Sequence, residues 1–476
     1  MDIVYCATHG FAARMLTQTD LLGKLVERGL SVGLIAPDAT DANLKEYCIP
    51  RGIELVSFEP EENKWRDEYF RARKYFLDDV SGNPNLKERH LRAIQSEGNS
   101  FWKRLRFYTY YQIYLARKNW FPSIKKWYVK KEEQLLKNEQ AQRLMDELSP
   151  KVFVSTYPVN YKEGMLLHAA KLAGCTNYIH LLSWDNIVTK GTFFGEADKY
   201  LLWGKVMAEE LKSYTQVDSE NLEIVGVPHF DFHIQLKDRL KSVEVLKGLG
   251  LNPQKPFLFF GMSASHFAPK EIDIVEWIAD RITEGEFGAD MQLVVRPHPQ
   301  NISGSMSDHS WLPRLKALDG RENTVVFYPG MVKSKMPWSM QQSDMEQLIH
   351  LIASSALVFN SGSTITIDAM MCDRPVIITS FDADEQLDYH KSARRLLDYI
   401  HLKKITADSG LDVARSFEDL MNHTKAYLEN PNLKLKARRK TIKRYCDNYA
   451  QGDATIRVVD HLAEAIGMTA ASTTLH

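Results

Sequence analysis

The sequence predicts an α/β protein built from two tandem doubly wound domains, with a helical insertion in the first and a helical carboxy-terminal stretch. Three observations predict it. Short apolar runs alternate with amphipathic stretches along most of the chain, the pattern of parallel strands covered by helices on both faces. The alternation restarts after a charged helical segment at 232–255, so there are two series. The chain has 476 residues, too many for one ordinary core.

The first series opens with the strand "DIVYCA", the loop and helix "THGFAARMLTQ" and "DLLGKLVERG", and the strand "SVGLIAP". "IELVSF" (53–58) is a third strand. The theme resumes with "KVFVST" (151–156), the helix "GMLLHAAKLAG", and the strands "NYIHLL", "KYLLWG" and "LEIVGVP". The second series has strands at "PFLFFG" (256–261), "MQLVVR" (291–296), "NTVVFY" (323–328), "ALVFNS" (356–361) and "RPVIIT" (374–379). The expected organisation is therefore a first domain over 1–230 with an insertion at about 63–150, a connection at 231–255 and a second domain at 256–412. Helices at 413–467 and a frayed tail at 468–476 follow.

Composition narrows the function classes. A formal net charge of −1 excludes a global attraction to polyanions, so electrostatic roles must be local. With 44% hydrophobic and 25% charged residues, the chain reads as an ordinary globular protein. Five scattered cysteines without a CxxC spacing point to a reducing compartment, and away from a disulfide framework or a cysteine zinc site. The start "MDIVYCATHG" lacks a signal-peptide pattern, and no apolar run reaches 18 residues. A cytoplasmic protein is expected.

Two strand ends carry chemistry. "LVVRPHPQ" leaves Arg296 and His298 at the end of a strand, with prolines on both sides of the histidine stiffening their direction. "NSGSTITIDAMM" ends another strand in a small-residue turn at the start of a helix. Gly362 allows a positive φ there, Ser361, Ser363 and Thr364 offer hydroxyls, and a helix amino terminus favours phosphate. Both loops fall on the carboxyl edge of one predicted sheet, where open parallel sheets bind ligands. A nucleotide phosphate is the expected ligand.

On these residues the second half resembles the donor domain of GT-B glycosyltransferases and of the related CDP-glycerol glycerophosphotransferases. "RPHPQ" resembles the His-Pro motif that contacts donor phosphate in sialyltransferases and Kdo transferases, and "SSALVFNSGSTITIDAMMCDRPVI" the serine turn that holds the same phosphate. "SWDNIVTKGTFFGEADKYLLWG" with "VGVPHFD" resembles a motif pair of bacterial surface-carbohydrate transferases, and "YIHLKKI" and "QGDATIRVVDHL" fit the same group. The resemblance spans about 150–465. It implies a GT-B-like pair of Rossmann-like domains facing a cleft, with the nucleotide-sugar donor (CMP- or UDP-linked) on the second. The acceptor hydroxyl would lie on a surface glycan, a glycolipid or a protein. It also implies no cofactor and no bound metal, the leaving group being neutralised by helix dipoles and basic side chains. "FDADEQ" at 381–386 is read as facing sugar or solvent. Polyol-phosphate transfer, sugar-nucleotide 2-epimerisation and a non-catalytic scaffold remain as alternatives.

Within that reading Arg296, His298 and the 361–364 turn stabilise the leaving phosphate. The base is sought on the first domain among Asp185 in "SWDN", His9 in "THGF" and Glu163 in "NYKEG", in that order. Ser263, Ser265 and His266 in "GMSASHF" are placed to touch donor or acceptor. The stretch 101–131 holds nine Lys or Arg and eleven aromatic residues without an Asp or Glu. Such a composition suits either inward packing of the rings or peripheral contact with an anionic membrane surface, and no nucleic-acid partner is expected.

Overall fold

The computed structural model describes residues 1–95, 99–119, 123–215, 217–236, 242–302, 310–332, 336, 340–408 and 410–468. The chain divides into two compact units. The first begins at Met1, runs to Val227, and takes in the chain again from Asp453; the second begins at Pro228 and ends at Gly452.

The first unit holds a seven-stranded sheet of β1 (Ile3–Cys6), β2 (Val32–Ala36), β3 (Glu54–Ser57), β4 (Val152–Ser155), β5 (Thr176–His180), β6 (Lys199–Leu202) and β7 (Leu222–Ile224), in the order β3-β2-β1-β4-β5-β6-β7. Every pairing is parallel. β1 and β4 are buried along their whole length, which is why both read as unbroken apolar runs rather than as alternation. Among the described residues, five helices, from Lys64–Leu77 to Glu139–Leu148, fill the crossover from β3 to β4. They carry a core of their own around Tyr75, Phe107 and Tyr114. Tyr69 and Tyr128 stack at 4.1 Å there, and each hydroxyl donates to the other's carbonyl.

The second unit holds β8 (Phe257–Gly261), β9 (Gln292–Arg296), β10 (Thr324–Val326), β11 (Leu357–Asn360), β12 (Val376–Thr379) and β13 (Asp412–Ala414), in the order β10-β9-β8-β11-β12-β13. All of these pairings are parallel too. β13 is absent from the sequence reading: it is a half-exposed edge strand of three residues led by an aspartate, too short and too polar to carry a periodic signal.

The expected connection at 231–255 is instead part of the second unit. Its helix Pro228–Gln235 is anchored there by Asp231, which accepts from Asn448 Nδ2 at 2.7 Å. The carboxy-terminal stretch also divides. Helices Phe417–Glu429 and Leu435–Tyr445 belong to the second unit, and Ala454–Ala465 to the first. On the first unit Asp460 pairs with Arg28 at 3.6 Å and His461 packs edge-on to Tyr178. Residues 469–476, most of the expected frayed tail, lie outside the described residues.

Strand order reverses between β1 and β4 in one sheet and between β8 and β11 in the other. Those are the switch points at which open α/β sheets bind ligands. Among the described residues no helix is long and apolar enough to cross a membrane.

Candidate functional site

In the second unit Gly261, at the end of β8, is level with Arg296 on β9 and with Asn360 on β11. The loops after these three strands therefore leave one edge of the sheet. The β9 and β11 ends are separated by the width of β8, about 10 Å. Two buried side chains stitch the loops together. Glu271 accepts from Ser263 N at 2.7 Å and from Ser361 Oγ at 2.6 Å. Asn301 accepts from Ser265 N at 3.0 Å and donates to the Ser263 carbonyl at 2.8 Å. Burial pushes Glu271 up to about 7.

The prolines around His298 have a local explanation. Pro299 opens the short helix Pro299–Ile302, a position that needs no N–H. His298 precedes it and its Nδ1 accepts from Gln300 N at 3.2 Å. Burial, with His266 and Arg296 nearby, lowers its pKa to about 4. The ring is thus neutral near pH 7. With Nδ1 accepting, the proton is on Nε2, so His298 is a hydrogen-bond donor rather than the imidazolium that the sequence left open.

Arg296 is engaged elsewhere. Its Nη2 donates to both oxygens of Asp344, at 2.8 and 2.7 Å, and its guanidinium lies 4.3 Å from the Phe327 ring centroid. Both partners are almost fully buried. Asp344 also accepts from Gly330 N at 2.9 Å. The cation expected to meet phosphate is therefore neutralised within the unit.

The 361–364 turn is likewise partly spoken for. Gly362 has φ +94° and a Cβ there would lie 2.6 Å from Leu402 Cδ1, so only glycine fits. Asn360 Oδ1 accepts from Gly362 N at 2.7 Å, Ser363 N at 2.8 Å and Thr366 Oγ1 at 3.0 Å. Ser361 Oγ is given to Glu271. Ser363 Oγ is buried with no partner among the described residues. Within helix Ile365–Met371, Thr366 N donates to the Ser363 carbonyl at 3.0 Å, and Ile367 N and Asp368 N to the Thr364 carbonyl at 2.8 and 3.1 Å, so the Ser363 and Thr364 hydroxyls are the side-chain donors of the turn that remain for an anion. His266, Ser263 and Ser265 stand on the loop after β8. The His266 and Phe267 rings meet tilted, with centroids 4.1 Å apart, and Arg395 clamps this loop by donating to the Phe267 carbonyl at 2.8 Å and the His266 carbonyl at 3.0 Å. In "FDADEQ" Asp382 is buried and accepts from Ala393 N at 2.9 Å and from Ser392 Oγ, Asp384 is exposed, and Glu385 pairs with Lys270.

In the first unit Glu163 is fully buried and accepts five hydrogen bonds. They come from Thr8 N and Oγ1 at 3.1 and 2.7 Å, Ser155 Oγ at 2.6 Å, Thr156 N at 2.9 Å and Tyr157 N at 2.8 Å. It ties the loop after β1 to the loop after β4, as Glu271 does for β8 and β11. Burial pushes its pKa up against the pull of these donors. His9 caps helix Gly10–Gln18, with Nδ1 accepting from Phe11 N at 3.1 Å. Burial and the neighbouring Lys190 and Arg14 lower it to about 4. It too is a neutral Nε2–H donor, and its one basic nitrogen is occupied. Asp185 is half-buried. It accepts from the Ser183 hydroxyl at 2.5 Å and the Thr189 hydroxyl at 2.8 Å, and Lys190 Nζ stands 3.9 Å away. Lys190 thus brings Asp185 and His9 into one neighbourhood.

Lys190 also lines a cleft of about 510 Å³ beside the loop after β4. Arg71, Arg73, Lys74, Arg89 and Lys190 line it against only Asp67 and Asp78. Arg73 is paired with Glu132. Burial, together with Arg89, lowers Lys74 to about 8, the sign of a crowded cationic site that an anion would relieve.

Solved structures resemble this chain along almost its whole length. The UDP-GlcNAc 2-epimerase of Neisseria meningitidis bound to UDP-GlcNAc is 10% identical with a TM-score of 0.54, covering 98% of this chain and all of its own. A glycosyltransferase from Rickettsia africae is 9% identical with a TM-score of 0.50, covering 98% of each chain. A single-residue variant of the wall teichoic acid polymerase TagF is 12% identical with a TM-score of 0.50, covering 98% of this chain and 89% of its own. The fold is GT-B. No family profile matches the sequence, and no curated protein matches it. Identities this low speak for the GT-B architecture alone.

Proposed function

We propose that this GT-B chain transfers a sugar from a nucleotide-linked donor to an acceptor hydroxyl. The single observation that supports the reading best is the β8/β9/β11 edge, where His298 is fixed as an Nε2–H donor beside the strand-order switch point. In this reading His298 Nε2–H and the Ser363 and Thr364 hydroxyls offset charge on the leaving phosphate. Arg296 and Asp344 hold the edge in shape. The acceptor proton goes to Asp185, His9 assists as a donor, and Glu163 keeps the loops in register. The excess of cations in the cleft near Lys190 supports an acceptor that carries a phosphate or a carboxylate. Metal plays no part in the leaving-group step.

A thermal-shift panel of CMP, CDP-glycerol, UDP, UDP-sugars and GDP tests the site and its base preference. At least one nucleotide is expected to raise Tm. His298→Ala is expected to lower turnover about 100-fold, the usual cost of one preorganised donor, while leaving Tm without ligand nearly unchanged. No shift with any nucleotide turns the chain into a non-catalytic scaffold. Conversion of a nucleotide sugar with no acceptor present makes it an epimerase, and release of CMP from CDP-glycerol a polyol-phosphate transferase.

Peripheral membrane contact is proposed for the 101–131 stretch. Phe107, Tyr114 and Tyr128 face inward, and Arg117 is buried with Nη2 donating to the Asp78 carbonyl at 2.6 Å. Phe101, Trp102, Leu105, Tyr108, Trp127 and Val129 remain exposed, as do Lys103, Arg104, Lys125, Lys126, Lys130 and Lys131. Exposed rings among cations suit the interface of an anionic bilayer. The protein is expected to sediment with vesicles containing acidic lipid, and Trp102→Ala/Trp127→Ala to weaken this about tenfold. Equal recovery with neutral and acidic vesicles would reject the contact.

A further inference from the structure

We propose that His229, His233 and Asp368 form a binding site for one divalent cation of the zinc class within the second unit. His229 and His233 are four residues apart on helix Pro228–Gln235 and so share one face. That face meets Asp368 on helix Ile365–Met371. His233 Nε2 is 2.8 Å from Asp368 Oδ1, and His229 Nε2 is 3.5 Å from the same oxygen. The three ligand atoms all lie within 4.8 Å of one another. A tetrahedral ion with bonds of about 2.0–2.1 Å holds its ligand atoms about 3.4 Å apart, so shifts of a few tenths of an ångström to about an ångström complete the set.

Charge favours an ion here. The side chains are 0% (His233), 8% (Asp368) and 13% (His229) exposed. A buried carboxylate needs a cation. Among the described residues, the two imidazoles are the charged-group partners recorded for Asp368. Two neutral imidazoles and one carboxylate carry net charge −1, which a divalent ion converts to +1 without needing a protonated ring. The mixed nitrogen and oxygen donors suit zinc over magnesium or calcium.

The ion would clamp helix Pro228–Gln235 onto the helix whose amino-terminal turn is 361–364. None of the three residues has a role in the transferase reading, so the proposal stands apart from it.

The test uses the full chain with any histidine tag removed. After dialysis against a chelator, zinc is titrated in competition with a chromophoric indicator. One equivalent is expected to bind per chain and to raise Tm. His229→Gln/His233→Gln is expected to bind that equivalent at least about tenfold more weakly. Cobalt(II) loaded into the wild-type chain supplies a readout that needs no variant: intense visible bands of a four-coordinate ion are expected. Equal zinc uptake by wild type and a folded double variant overturns the site, leaving an imidazolium in the ion's place. If the double variant does not fold, a cobalt spectrum matching the hydrated ion overturns it alone.

Discussion

Asp344→Ala is expected to destabilise the second unit by about 3–5 kcal/mol, the usual cost of leaving a buried charge without its partner. The guanidinium of Arg296 would keep its place under Phe327 with its two charge-assisted bonds removed. Gly330 N would lose its acceptor as well. Arg296→Met/Asp344→Leu removes both charges and is expected to recover most of the loss, since a paired apolar replacement strands nothing. Urea midpoints for the two variants check this. An unchanged midpoint for Asp344→Ala would return Arg296 to the ligand-binding role that its sequence context suggests.

The second large effect is a pH dependence carried by Glu271. Its folded pKa is about 7, raised by burial from 4.5. Between these values the folded state holds a proton that the unfolded state has released. Stability therefore falls as pH rises from 4.5 to 7, by about 1.4 kcal/mol per pH unit and about 3 kcal/mol in all, and levels off above. Glu271→Gln does not titrate, and its amide can meet both Ser263 N and Ser361. The difference in unfolding free energy between wild type and variant isolates this group from the rest of the chain's titration. A difference that stays flat from pH 4.5 to 7 would mean that Glu271 is charged throughout.

Twelve of the thirteen strands were legible because each lies in a local apolar run between turn signals; the thirteenth was not because β13, Asp-Val-Ala, opens on an aspartate and has no such run around it. The strand-end motifs were legible as positions but less so as roles. Arg296 reads as a free cation in "RPHP", yet its partner Asp344 lies 48 residues on, in a stretch with nothing to announce the pair. The same holds for Asn360, which takes up the N–H groups of the glycine turn, and for Glu163 and Glu271. Each glutamate lies in the first turn of a helix, where a carboxylate is ordinarily a surface feature. Only the topology shows that both are folded inward to bind two loops. His298 and His9 share a signal that could have been read: a histidine before the first residue of a helix offers Nδ1 to the backbone and so selects its tautomer. Likewise "PHFDFHIQ" displays two histidines at helical spacing, but the carboxylate that faces them is more than a hundred residues away.

The last helix of the first unit, Ala454–Ala465, is synthesised about 230 residues after that unit's final strand. At about 5–20 residues per second the ribosome needs roughly ten to fifty seconds to deliver it. Throughout that interval Arg28 and Tyr178 lack Asp460 and His461 as partners. The second unit can finish folding first, although it emerges later. Birth order and completion order are thus reversed.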